Sequence, residues 1–151
     1  MTDVEDKIEK VIDLAAPVSR VWRAVTDHEE FGQWFRVALD GPFRVGEVST
    51  GQITHPGYEH LEWWARTERM EPERLFAFSW CPTVFEPGSD YENEPKTLVE
   101  FQLEPTESGT RLTITESGFA SLPDADRLES FRRNSEGWDG QAQNIAAHVD
   151  G

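Results

Sequence analysis

The sequence predicts an α+β fold: a curved antiparallel sheet of about six strands around one long C-terminal helix, with two short helices after the first strand. Three observations carry the prediction. Residues 97–117 alternate apolar and polar side chains on both sides of a Glu107-Ser108-Gly109 turn, the pattern of an antiparallel hairpin. Gly41, Pro42, Gly46, Gly51, Pro56 and Gly57 divide an earlier segment into turns around one short strand. Beyond Pro123 the apolar period lengthens from two residues to that of a helix and stays there to the C-terminus.

Each element follows in order. KIEKVIDL, residues 7–14, places Ile8, Ile12 and Leu14 on one parity and Val11 on the other, which reads as a first strand. Pro17 suits the first turn of a helix, and Val18, Val21, Trp22 and Val25 follow at helical spacing. Asp27 ends that helix or caps the next, HEEFGQWF at 28–35, which Gly32 weakens. EVSTGQIT at 47–54 is the strand within the turn-rich segment. HLEWWARTERM at 60–70 is a long strand, Glu71-Pro72-Glu73 turns the chain, and RLFAFSW at 74–80 returns with Phe76, Phe78 and Trp80 on one face. CPTVFEPGSDYENEP at 81–95 is a loop of turn-formers and acids. In the hairpin, Val99, Phe101 and Leu103 share one face, opposite Leu112 and Ile114 of the partner strand.

The final helix runs to about His148, with Asp124 and Asp126 in its first turn. Leu128, Phe131, Trp138, Ala142, Ile145 and Val149 lie near one stripe. Gly137 and Gly140 interrupt it, each at up to about 1 kcal/mol against alanine. A sheet curved around this helix and closed by the short helix pair leaves a cavity between helix and sheet. With no internal repeat, residues 1–151 read as one domain.

Composition narrows the function classes. Hydrophobic residues are 37% of the chain, a low share offset by nine Phe, six Trp and two Tyr, which bury much area each. The formal charge of -15, from 14 basic and 29 acidic residues, repels phosphate backbones and anionic lipid, so no nucleic-acid partner is expected. Arg132-Arg133 is the one adjacent basic pair. The single cysteine, Cys81, excludes an internal disulfide and reads as a buried, inert thiol. No apolar run suits a membrane span, and the N-terminal MTDVEDKIEK is too charged for a signal peptide, so a cytoplasmic location is expected. His28, His55, His60 and His148 lack metal-ligand spacing, and no phosphate-cradle, dinucleotide or hydrolase-elbow motif occurs. Neither a metal nor a cofactor is expected, and no residue is assigned as catalytic.

Four stretches, taken in order, carry a resemblance: AAPVSRVWRAVTDHEEFGQWF, EPERLFAFSW, TRLTITESGF and NSEGWDGQAQNIAAHV. Through Pro17, Val21, Trp22, Trp34, Pro72, Leu75, Gly118, Phe119, Gly137 and Trp138, the chain resembles the START-like, or Bet v allergen-like, superfamily (SRPBCC). Within it the chain is similar to the family named for the activator of the 90-kDa heat-shock protein ATPase (AHSA-like). The resemblance implies a helix-grip fold with a hydrophobic cavity, usually without a cofactor, binding a lipid-like or aromatic ligand. A few such proteins catalyse cyclisations or hydrolyses there. The tandem Trp63-Trp64 and the acidic loop 81–95 match no family pattern.

Strand alternation forbids Trp63 and Trp64 from sharing a face. Leu61, Trp63, Ala65 and Thr67 form the more apolar parity, so Trp63 is expected inward, with Trp64 covering a sheet edge, stacked on an arginine or meeting a partner subunit. Phe76, Phe78, Trp80, Phe101 and Trp138 are inward candidates that either fill a core or line a pocket, and Trp34 stands where a lid could form. Glu116 continues the inward parity of Leu112 and Ile114 and could orient a ligand, although a solvated or arginine-paired carboxylate is the commoner arrangement near a strand end. These eight, Trp34, Trp63, Phe76, Phe78, Trp80, Phe101, Glu116 and Trp138, are the candidate ligand-binding residues. Binding of a hydrophobic small molecule ranks first. Regulation of a partner protein such as a chaperone is the alternative, and a cavity enzyme is the second alternative.

Overall fold

In the computed structural model, which describes residues 7–82 and 88–150, the chain begins with strand β1 (Lys7–Leu14). Ile8 and Leu14 of β1 are buried while Val11 faces out, as the parity requires. Two helices follow, α1 (Val18–Thr26) and α2 (His28–Phe35). They share Asp27 as the residue between them, and its extended backbone breaks one helix from the other. Strands β2 (Val37–Leu39), β3 (Val48–Ile53), β4 (Glu62–Glu71), β5 (Leu75–Trp80), β6 (Thr97–Thr106) and β7 (Gly109–Ser117) come next, and helix α3 (Asp124–Asp150) ends the described chain. All pairings are antiparallel, in the order β1-β7-β6-β5-β4-β3-β2. Since β1 and β2 are opposite edges, α1 and α2 carry the chain from one edge of the sheet to the other.

The sheet has seven strands because a short edge strand, β2, lies between α2 and the turn-rich segment that holds the expected β3. Gly32, read from sequence as a weakness of α2, has a steric reason: a Cβ there would collide with the carbonyl oxygen of Val37. Arg36 closes α2 in the left-handed region at φ 72°, which turns the chain directly into β2.

The hairpin register pairs Val99 with Glu116, Phe101 with Ile114 and Leu103 with Leu112, so the inward faces of β6 and β7 coincide. Across the sheet, Trp63, Phe76, Phe78 and Phe101 are fully buried, together with Phe31 from α2 and Ile145 from α3. Most of the aromatic rings pack edge to face or tilted at 4.8–6.4 Å between centroids, as in Phe31 on Trp34 and Phe43 on Trp63, while Phe31 on Phe35 and Phe76 on Phe101 are stacked. Truncating one such ring to alanine costs about 3–5 kcal/mol.

α3 lies on the inner face of the sheet through Trp138, Ala142 and Ile145. Leu128, placed on the inward stripe by its spacing, is instead exposed. The beginning of α3 packs on the turn at Phe119–Ser121 rather than on the sheet, where Ser130 is buried and Phe131 meets the ring of Phe119. At the other end, the carboxylate of Asp150 accepts hydrogen bonds from the backbone N–H groups of Ala15 and Ala16, fastening α3 to the entry of α1. The predicted loop keeps a short helical turn at Tyr91–Asn93; residues 83–87 and the side chains of Asp124 and Asp126 lie outside the described residues.

Candidate cavity between sheet and final helix

A half-open cavity of about 220 Å³ lies where α2, β3, β4 and β5 meet the middle of α3. Four rings border it: Phe35 from α2, Trp63 from β4, Trp80 from β5 and Trp138 from α3. Ile53 completes the apolar lining, and Asn134, Gly137 and Gln141 of α3 supply the remaining face. None of these side chains is charged. A second, more open groove of about 420 Å³ continues outward from Phe35, Ile53, Gly137 and Gln141 past Arg36, His55 and Tyr58.

Directly behind this wall sits Glu116, with no exposure to solvent and, among the described residues, no arginine paired with it, so the solvated or arginine-paired arrangement does not hold. Trp80 donates its Nε1–H to Oε2 at 2.9 Å, and Thr97 donates its hydroxyl to the same oxygen at 2.6 Å. Trp138 donates its Nε1–H to Oε1 at 2.8 Å. The Asn134 amide nitrogen lies 3.1 and 3.0 Å from the two oxygens. A carboxylate is an acceptor-only group, and here every neighbour is a donor. Glu116 therefore satisfies two indole N–H groups in a water-poor interior and fixes three side chains of the cavity wall on two different elements. Its parity, opposite Val99 in β6, is what carries it inward.

The other expected site residues divide into two sets. Trp63, Trp80 and Trp138 line the cavity. Phe76, Phe78 and Phe101 fill the solid aromatic core beyond it and do not border it. Trp34 is no lid: it is buried, donates its indole N–H to the carbonyl of Ala24 at 2.8 Å, and so locks α2 onto α1. Its neighbour Phe35 borders the cavity in its place.

Sequence reading missed Phe35, Ile53, Asn134 and Gln141. The signal for the last two was present. Asn134 and Gln141 stand four before and three after Trp138, on the same helical face, so polar amides occupy a stripe that should be apolar. Gln141 is held at both ends, donating to the Phe35 carbonyl at 3.3 Å and accepting from Asn144 at 3.0 Å. Gly137 and Gly140 have no packing reason: a Cβ at either would meet nothing within 4 Å. Both face the cavity system, Gly137 both parts and Gly140 the outer groove.

On the other face of the sheet, Trp64 stacks on Tyr91 at 5.7 Å, with the Arg66 guanidinium 5.5 Å and the Lys96 ammonium 5.4 Å from its ring. Cys81 is buried in this cluster, and burial pushes its thiol above the usual range. Burial likewise raises the Tyr91 phenol to about 12. No group of His, Cys, Asp and Glu among the described residues could hold a metal ion, and no helix is long and apolar enough to cross a membrane.

A family model described as "Activator of Hsp90 ATPase homolog 1-like protein" matches residues 15–150. Solved structures share the fold. A protein from Arthrobacter aurescens, solved in solution, is 20% identical with a TM-score of 0.79, the match covering 96% of this chain and 86% of that one. Protein CV1439 from Chromobacterium violaceum is 19% identical with a TM-score of 0.74, covering 97% and 99%. DynU16, a protein of the dynemicin biosynthetic locus, is 22% identical with a TM-score of 0.74; the match covers 97% of this chain but 48% of that one, so this chain spans about half its length. No curated protein sequence matches the chain.

Proposed function

The chain belongs to the Activator of Hsp90 ATPase homolog 1-like family, and from that premise we propose that it binds a small, predominantly apolar molecule in the cavity between sheet and α3. One observation carries this reading. The helix that closes the sheet has Gly137 at the cavity, where no neighbour excludes a side chain, while the wall around it is fixed in place by Glu116. A glycine there costs helix stability and keeps room open. An apolar lining with a few fixed polar groups is the general make-up of a ligand site. Trp63, Trp80 and Trp138 contact the ligand in this reading, with Phe35 and Ile53, and Glu116 acts as the positioning residue for the wall.

Mass action supplies the test. A ligand that binds only the folded chain raises the melting temperature by an amount that grows with its concentration. Neutral one- and two-ring aromatics are expected to do so. Gly137→Leu puts a side chain into the space: its own melting temperature should equal or exceed the parent's, while the ligand-induced rise disappears. If neither aromatics nor lipids move the parent, or if Gly137→Leu responds as the parent does, this reading is wrong.

A further inference from the structure

Resting on that reading, we infer that the ligand is an uncharged molecule of one or two aromatic rings that carries a hydrogen-bond acceptor, and that Trp63 donates its Nε1–H to that acceptor. The size follows from the space. A cavity of about 150 Å³ accommodates benzene, so about 220 Å³ holds a substituted ring or a fused pair.

The charge state follows from the wall. The inner lining is rings, one isoleucine, one glycine and two amides, with no cation to pair an anion. Behind the rings lies a buried carboxyl group, and the whole chain carries a formal charge of -15. An anion placed there is desolvated and repelled at once. A cation has the rings to attract it, but the carboxylate behind them is already surrounded by its own donors.

The acceptor follows from one unmet hydrogen bond. Of the three indoles in the wall, Trp80 and Trp138 donate to Glu116. Trp63 is fully buried, and its Nε1 has no partner among the described residues. A buried donor without an acceptor is a standing cost that a bound oxygen removes. The other such atom, Thr67 Oγ1, does not belong to the cavity lining. Asn134 uses its amide nitrogen on Glu116, which leaves its carbonyl oxygen as the acceptor it can offer a ligand hydroxyl.

Four probes test this: acetophenone, its near-isosteres α-methylstyrene (a hydrocarbon) and benzoate, and the bulkier cation benzyltrimethylammonium. On the ¹⁵N-labelled parent protein, acetophenone should move the Trp63 indole proton downfield, and α-methylstyrene should bind without that shift. Benzoate and benzyltrimethylammonium should bind at least about tenfold more weakly than acetophenone, the factor for one hydrogen bond or an unpaired charge. In Trp63→Phe the preference for ketone over hydrocarbon should fall about tenfold relative to the parent. If the variant does not fold, the indole shift on the parent decides. Binding of both neutral probes without the shift overturns the acceptor and spares the ligand-binding reading. Equal or tighter binding of either ion overturns the charge state. If no probe binds, this inference is wrong, and the reading beneath it falls as well only if lipids also leave the melting temperature unmoved.

Discussion

One carboxylate, Glu116, converts a sequence pattern into a site. Its side chain is isosteric with glutamine, yet Glu116→Gln exchanges an acceptor oxygen for an NH₂ donor in a shell made wholly of donors. With the amide turned one way the Trp138 indole loses its acceptor; turned the other way, the Trp80 indole and the Thr97 hydroxyl lose theirs. We expect urea unfolding to give a loss of about 1–3 kcal/mol, the cost of a buried donor left unsatisfied. A change within about 0.5 kcal/mol, the range of neutral surface substitutions, would mean that the network is not holding the wall. At this scale the sequence was half legible. Alternation placed Trp63, Trp80 and Glu116 inward, because a strand has only two faces. It had no means of showing that Phe76, Phe78 and Phe101 are sealed behind other rings, which depends on how far α2 reaches across the sheet. Nor could it show that Glu116 trades solvent for indole donors, since those come from β5 and α3 and the pairing exists only once both have packed.

The elements themselves were legible wherever many residues repeat one period: the β6–β7 hairpin, the β4–β5 pair and α3. β2 was not, because three residues hold too little alternation to register and the strand is specified by its pairing with β3. Leu128 failed for a related reason: helical spacing fixes an angle around the helix axis but not which neighbour, if any, stands at that angle. The joint between helices is decided by charge. Glu30 of α2 meets Arg20 at 2.6 Å and Arg23 at 2.8 Å from α1, and His148 Nε2 at 2.9 Å from α3. Burial pushes the Glu30 carboxyl up, but the hydrogen bonds from His148 and Arg20 and the charges of Arg20 and Arg23 outweigh it and hold the group below 4.5. A carboxyl depressed by folding stabilises the folded chain above its unfolded value and loses that contribution as pH falls through the folded value. The stability difference between the parent and Glu30→Gln should therefore be full at pH values above about 4.5 and shrink as pH is lowered below it. A difference that stayed constant down to pH 3 would remove the carboxylate from the joint.

At the scale of the whole molecule, two electrostatic effects oppose each other when salt is added. The resolved ion pairs lose strength: Lys10 with Asp139, Arg66 with Glu92, and Arg111 with Asp13 and Glu104 all have at least one partner substantially exposed. Exposed pairs contribute only about 0–1 kcal/mol each, so their loss is small. Self-repulsion is also relieved, and it is the larger quantity, since 29 acids face 14 bases and many carboxylates have no base left to pair with. The screening length falls to about 10 Å at 0.1 M salt, shorter than most distances between surface charges on such a domain. The melting temperature should therefore rise with NaCl from low ionic strength and level off near physiological salt. The inner cavity, lined without charge, predicts a contrast measurable in the same titration: affinity for acetophenone should hardly change while the melting temperature rises. A melting temperature that fell steadily with salt would show that the ion pairs, rather than the excess of carboxylates, govern the stability of the fold.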